Sequence, residues 1–231
     1  VTTDKCYENK EWIWPYRENE PMGGHDPYSS SKGCSELLIA SYRHSFLSDN
    51  GSAAIASARA GNVIGGGDWS EDRLIPDVVR SISDKKLLEI RSPNATRPWQ
   101  HVLESLSGYL SLGQKMLEGK QEFAQAWNFG PTEDGNRSVA DVLSCMKNVW
   151  PVIDWKITQS PQPHEANLLY LDSSKAHQHL GWKPVWSIDE SLKETANWYR
   201  ALLEQGKVVS SIQLENYIKK ARQSGLKWSS S

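Results

Sequence analysis

Cysteine is scarce in this 231-residue chain. Cys6, Cys34 and Cys145 are odd in number and far apart, a pattern that suggests neither a disulfide frame nor a zinc knot. An excess of one charge is also lacking. The net charge is −2, from 26 Lys and Arg against 28 Asp and Glu, scattered rather than in blocks. That argues against a nucleic-acid or membrane-surface partner and leaves a local anion site open. No apolar run approaches the length of a membrane span and no signal peptide is visible, which points to the cytoplasm. Internal repeats and low-complexity tracts are missing. His177 and His179, two apart on an expected helix, point to different faces, so no metal is expected. What remains is ordinary: 38% hydrophobic residues and 16 Gly, a soluble globular share, in a length that suits one large domain or two small ones.

One stretch stands out, Asp26-Pro27-Tyr28-Ser29-Ser30-Ser31-Lys32. Asp26 suits an N-cap and Pro27 the first helical position, so the sequence predicts a helix from there to about residue 49, stopped by Asn50-Gly51. Tyr28 and Lys32 then lie on one face, a turn apart. A phenol beside an ammonium is a proton-transfer pair, because the cation favours the phenolate. Upstream, Val1-Thr2-Thr3-Asp4-Lys5 reads as a strand running into polar residues, where open α/β sheets place their chemistry.

The rest of the chain alternates. Residues 6–25 form a long irregular connection whose aromatics are expected to cover the core. Cys34, Leu37, Leu38, Tyr42 and Phe46 recur at helical spacing in the first helix. Residues 52–59 read as a buried strand of small residues, and 60–69 as a turn-rich exit whose Gly65-Gly66-Gly67 would let backbone amides approach a ligand. A helix over 73–82 is expected to be interrupted by Pro76. Strands over 87–91 and 97–102 flank the turn at 92–95. Leu103, Leu106, Leu110 and Leu117 mark another helix, with Gly113 on the same face as a point of close packing. A strand over 126–129, a helix capped by Ser138 and stopped by Pro151, and a strand over 155–158 follow. Three more helices are expected: one capped by Asp172 and ending at Gly181, one from Ser187 to Gly206, and one over 212–221. In the second of these Leu192, Ala196, Tyr199 and Leu203 face inward. The terminal 227–231 should fray.

Thr3-Asp4-Lys5-Cys6-Tyr7, Tyr28-Ser29-Ser30-Ser31-Lys32, Arg59-Ala60-Gly61-Asn62-Val63, Arg97-Pro98-Trp99-Gln100-His101-Val102, Asn128-Phe129-Gly130-Pro131, His164-Glu165 and Leu180-Gly181-Trp182-Lys183-Pro184 stand in this order. In that order they resemble the nucleotide-sugar 4,6-dehydratases of the extended short-chain dehydrogenase/reductase family. Lys5, where dTDP-sugar members usually carry Glu, and the loop Glu11-Trp12-Ile13-Trp14-Pro15-Tyr16-Arg17 point to the branch that acts on CDP-glucose.

The resemblance implies an α/β fold: the C-terminal part of a Rossmann-like doubly wound parallel sheet plus a smaller α/β substrate-binding domain. Residues 1–61, with 102–131 returning to them, would belong to the NAD-binding domain, and 62–231 mainly to the sugar-nucleotide domain. The glycine-rich turn that seats a pyrophosphate in such folds is not in the chain, so a missing upstream half is expected.

The resemblance also implies NAD as cofactor, Thr3, Asp4, Lys5, Tyr28 and Lys32 as catalytic residues, and Tyr28 and Lys32 as cofactor contacts. Asn62, Arg73, Arg97, His101 and His164 would bind the nucleotide sugar, and a homodimer would form through the Tyr28 helix. Two other readings stay open. A 4-epimerase or decarboxylase shares the Tyr/Lys pair but needs no acid and base beside Thr3, and a non-catalytic fragment would only bind sugar nucleotide.

Overall fold

The computed structural model describes residues 1–47, 53–158 and 169–229. The expected strand at 1–5 does not form. Thr2 N–H donates to the Ala58 carbonyl at 2.8 Å, and the chain then turns into a 3₁₀ segment, Asp4–Cys6, whose cap is the Thr3 hydroxyl. Short polar side chains that bond nearby backbone compete with strand pairing. The connection after it is held by two isolated bridges, Tyr7 to Met22 and Tyr16 to Leu171. Its aromatics divide: Tyr7 and Tyr16 are buried with rings 5.3 Å apart, whereas Trp14 is 63% exposed.

Helix α1, Pro27–Phe46, starts as the sequence predicts. Asp26 accepts from Ser29 N–H at 3.0 Å, and Pro27 takes the first turn, where its missing N–H costs nothing. The expected stop at Asn50-Gly51 lies outside the described residues. The buried face is not the apolar one. Ser29, Gly33 and Glu36 are buried, while Cys34, Leu37, Leu38, Tyr42 and Phe46 are exposed.

Strands β1, Ser57–Ala60, and β2, Asn62–Ile64, come next. Helix α2, Leu74–Ser83, is not interrupted by Pro76, because that residue falls in the first turn, where no intrahelical donor is needed. Then follow β3, Leu88–Ile90; β4, Thr96–His101; α3, Val102–Leu117; β5, Ala126–Phe129; β6, Asn136–Ser138; α4, Val139–Val149; and β7, Trp155–Ile157. A π-helical turn, Ala176–Leu180, is closed by Gly181 at φ +65°. Helix α5, Ile188–Gln205, opens with a reciprocal Ser187–Glu190 capping box and ends at Gly206, and α6, Ser210–Gln223, follows. Leu203, expected to face inward, lies exposed in the last turn of α5, beyond the buried Ala196 and Tyr199. The segment 227–229 is docked rather than frayed: Trp228 stacks on Tyr217 and Ser229 is buried.

Strands β1 and β5 run parallel, with Ala58 opposite Trp127. Strand β4 joins β2 in parallel and β6 antiparallel, so it does not pair with β3 across the predicted turn; β3 instead lies parallel to β7. Parallel pairs linked through helices make this an α/β fold. The chain changes sheets within one residue, at Gly61 between β1 and β2. One core gathers α2, α4 and α5 around Trp99, and a second lies between β1, β5 and α3. Among the described residues, no helix is long and apolar enough to cross a membrane.

Helix α3 also buries its unexpected face. Leu106, Leu110 and Leu117 are exposed, the last 92%, while Glu104, Ser105, Ser107, Gly108, Ser111 and Leu112 are buried. The close approach expected at Gly113 occurs at Gly108 instead, where a Cβ would stand 2.3 Å from the Phe129 ring. Glu104 binds the chain's last third: its carboxyl accepts from Val185 N–H and Trp186 N–H, both at 2.9 Å, and from the Tyr217 hydroxyl at 2.7 Å. Burial pushes that carboxyl up to about 7, against the pull of those donors.

The two glycines of α3 should answer oppositely to alanine. Gly108→Ala overpacks against Phe129 and should cost about 1–3 kcal/mol. Gly113→Ala meets no atom within 4 Å and should gain about 0.5–1 kcal/mol from the stiffer backbone. Urea unfolding of both variants checks the pair, and equal shifts would contradict the packing described.

Candidate active site

Helix α1 packs on the 3₁₀ segment through Gly33, whose missing side chain leaves room for the carbonyls of Cys6 and Gly23, each 3.3 Å from where a Cβ would stand. This contact brings together two groups far apart in sequence. Lys32 Nζ lies 5.5 Å from the centroid of the Tyr28 ring, and Lys5 Nζ lies 6.0 Å from it. One phenol thus has an ammonium from each segment beside it. Tyr28 is 52% exposed, Lys32 half-buried and Lys5 exposed, so the pair opens outward.

Asp4 forms the inner half of the site. It is 2% exposed, and the Thr3 hydroxyl donates to its Oδ1 at 2.8 Å while accepting from Lys5 N–H at 3.4 Å. Burial pushes the Asp4 carboxyl up to about 6, opposed by the Thr3 hydroxyl and the charges of Lys5 and Arg97. Such a carboxyl keeps a proton at a pH where most Asp have lost theirs. A Cβ on Gly61 would stand 3.2 Å from Asp4 Oδ2 and 2.8 Å from Pro98 Cγ, so only a glycine lets β4 close on the acid. Pro98 also lines a cleft of about 1070 Å³, walled by Ile13, Pro15, Asn136, Tyr170 and Asp172 among others. That space suits a large organic ligand.

The remaining candidates scatter. Asn62 is half-buried at the start of β2, opposite Trp99. Arg97 is half-buried on β4; its guanidinium donates to the Thr96 carbonyl at 2.8 Å and its charge reaches Asp4. Arg73 caps the start of α2 in an exposed ion pair with Asp68 at 3.1 Å. His101 does not face the cleft. It is 2% exposed, its Nδ1 accepts from Leu103 N–H at 3.3 Å, and its ring lies edge-on to Trp186. Burial pushes its imidazole down to about 4, so the sequence expectation of a ligand contact gives way to a neutral helix cap. His164 lies outside the described residues.

For a dinucleotide, the exposed Tyr28 hydroxyl and the Lys32 ammonium offer a ribose two polar groups on one helix face, so these residues fit that group. At Gly65 and Gly66 the missing side chains make room for packing. Their places are taken by Val102 and by the Trp198 ring, at 2.8 and 2.0 Å from where a Cβ would stand. Sequence reasoning also missed Glu36 and Arg59, a buried ion pair at 2.7 Å. Two signals marked it: Glu36 continues the Tyr28–Lys32 row by one turn, and Arg59 follows small apolar residues that offer it no counter-charge.

The family model for GDP-mannose 4,6 dehydratase matches residues 1–195. The chain is 44% identical over 225 residues to the CDP-glucose 4,6-dehydratase of Salmonella typhimurium, covering 94% of this chain and 63% of that protein. Among solved structures, it is similar to dTDP-glucose 4,6-dehydratase from Bacillus anthracis in complex with NAD. That likeness has a TM-score of 0.71 and 20% identity and covers 89% of this chain and 62% of the other. It is also similar to UDP-glucuronic acid 4-epimerase from Bacillus cereus in complex with UDP-glucuronic acid and NAD. There the TM-score is 0.72 and the identity 21%, over 87% of this chain and 60% of the other. These likenesses show the Rossmann-like α/β fold.

Asp4 should leave a pH signature on stability. Its carboxyl is raised in the folded state, so its contribution is full below 3.8 and is lost as pH rises through about 6. The difference amounts to about 3 kcal/mol. Unfolding measured between pH 4 and 8 should therefore show wild type losing about that much relative to Asp4→Asn. Parallel profiles would mean that the acid is not raised.

Proposed function

The chain belongs to the GDP-mannose 4,6-dehydratase family, and from that premise we propose that it carries the catalytic groups of an NAD-dependent CDP-glucose 4,6-dehydratase. The reading rests on one observation: a buried Asp4 that accepts from the Thr3 hydroxyl, next to the Tyr28–Lys32 pair. The 44% identity to a CDP-glucose 4,6-dehydratase supports the substrate. The chain spans 63% of that relative's length, so the activity is assigned to the full-length protein.

NAD, held by Tyr28 and Lys32, would supply the hydride acceptor for C4 of the glucose and the hydride donor for C6. The other steps fall to the chain. Tyr28, as phenolate, takes the proton of the 4-hydroxyl, and Lys32 holds the phenolate and the ribose. The resulting 4-keto group acidifies the C5 proton. Asp4 gives its proton to the leaving 6-hydroxyl and the C5 proton passes to solvent at the open side of the site, so one water departs; C5 takes a proton back once C6 has been reduced. Lys5, an exposed ammonium 6.0 Å from the Tyr28 ring, assists removal of the C5 proton by stabilising the enolate. Thr3 donates its single hydroxyl proton to Asp4, so towards a sugar oxygen it presents an acceptor. Arg97 and Asn62, near the Pro98 wall of the cleft, and Arg73 and His164 are assigned to the nucleotide diphosphate. An acid beside Thr3 is what a 4-epimerase or decarboxylase does not need.

The domain division proposed is 1–61 with 102–131, and mainly 62–231; the change of sheets at Gly61, from β1 and β5 to β2 and β4, supports it. A second copy is assigned to the exposed row Cys34, Leu38 and Tyr42 of α1, which stand one turn apart, with Phe46 packed on Tyr42 at 5.3 Å.

Full-length protein with NAD should release one water from CDP-glucose, seen by product mass, in preference to the dTDP, UDP and GDP sugars. Tyr28→Phe should lower kcat by about 10²–10⁴-fold. A product of unchanged mass would indicate epimerisation and end the dehydratase reading. Leu38→Glu with Tyr42→Glu should halve the mass measured by light scattering, and an unchanged mass would remove the α1 interface.

A further inference from the structure

Two buried charges near the site, Glu36 and Arg59, are not among its reacting groups. Glu36 is the third member of the row Tyr28, Lys32, Glu36, each one turn beyond the last. Arg59, near the end of β1, meets it with one arm of its fork: Nη2 donates to Glu36 Oε2 at 2.7 Å. With the other arm, Nη1 donates to the Tyr7 hydroxyl at 2.7 Å and to the Glu18 carbonyl at 3.1 Å. Glu36 accepts in addition from the hydroxyls of Thr2 and, at 2.7 Å, Ser57. Tyr7 passes its own hydroxyl proton to Asn128 Oδ1 at 2.7 Å. Burial alone would raise the Glu36 carboxyl, but Arg59, Thr2 and Ser57 together hold it below the usual range, so both partners are charged.

The segment carrying Thr3, Asp4 and Lys5 is thus held at both ends by one ion pair. Thr2 precedes it and bonds Glu36; Tyr7 follows it and bonds Arg59. The carboxylate of that pair belongs to the helix that carries Tyr28 and Lys32. A buried ion pair is poor evidence for stability, since apolar groups of similar volume often hold a fold as well. Apolar groups cannot bond several partners in fixed directions; a guanidinium fork and a carboxylate can.

We propose that the Glu36–Arg59 pair is a positioning device: it sets the register of the Thr3–Lys5 segment against Tyr28 and Lys32. This deepens the dehydratase reading and rests on it, because the two halves must act in turn on one sugar. Misplacing a reacting group by about 1 Å can cost about 10²-fold in rate.

Arg59→Lys separates positioning from charge. A lysine keeps the charge beside Glu36 but has no second arm for Tyr7 and Glu18. In the full-length protein, Arg59→Lys should keep its melting temperature within about 5 °C. It should lower kcat about 10–100-fold with KM within about twofold. Amide exchange should rise about tenfold at Gly23, whose N–H bonds the Cys6 carbonyl, and stay unchanged at Ala196 in α5. Wild-type kcat in this variant overturns the proposal, as does exchange that rises equally in α5, which would make the role merely structural.

If Arg59→Lys fails to fold, Glu36→Leu with Arg59→Met supplies the test. This pair should be stable and equally slow, and full activity in it overturns the proposal. The exchange readout needs no substrate. A wild-type protein that removes water from no nucleotide-glucose would therefore end the functional reading, while Gly23 exchange still decides the clamp.

Discussion

Helix α1 fully buries only a serine, a glycine and a glutamate, with Ile39 and Ala40 partly covered, and so has little apolar surface to hold it in place. What fixes it is a charge-assisted contact: Glu36 against Arg59, with Thr2 and Ser57 completing the carboxylate's shell. Removing either partner alone would strand a buried charge, a loss of about 3–5 kcal/mol. The helix therefore sits where directional bonds put it. Its leucines and aromatics, at the usual helical spacing, are left on the other side.

The site draws two opposite consequences from the same low dielectric. Around Glu36, burial is outweighed by three donated bonds and the charge of Arg59, and the carboxylate stays charged. Around Asp4, burial outweighs the Thr3 hydroxyl bond and the charges of Lys5 and Arg97, and the carboxyl is raised to about 6. Two acids near one packed turn are thus shifted in opposite directions, one held charged in the framework and the other raised towards the range useful for proton transfer. Gly61 leaves room for both Asp4 and Pro98, the latter a wall of the cleft.

Local signals in the sequence were legible, and tertiary ones were not. Asp26-Pro27 marks the start of α1, Ser187 with Glu190 that of α5, and Gly181 and Gly206 close their turns, each by backbone chemistry within a few residues. The Tyr28–Lys32 pair was legible for the same reason, since four residues is one helical turn. Helical spacing of Leu106, Leu110 and Leu117 correctly implies a helix, but does not say which face the sheet takes; in α3 that depends on Gly108 fitting the Phe129 ring. His101 reads as a ligand contact until Trp186, 85 residues later in the chain, is known to cover it. Arg59 and Glu36 escaped because a buried pair is recognised by its two halves together, and they lie 23 residues apart.

Asn128 has a consequence for the order in which the molecule assembles. Its single side chain joins the Tyr7 hydroxyl, the Tyr16 carbonyl and the Asp172 carbonyl, across 121, 112 and 44 residues of chain. Contacts that close such long loops incur their entropy first and repay it late. The loop beside the acid therefore gains this anchor only once β5 has found β1, which ties its order to the longest-range pairing in that sheet.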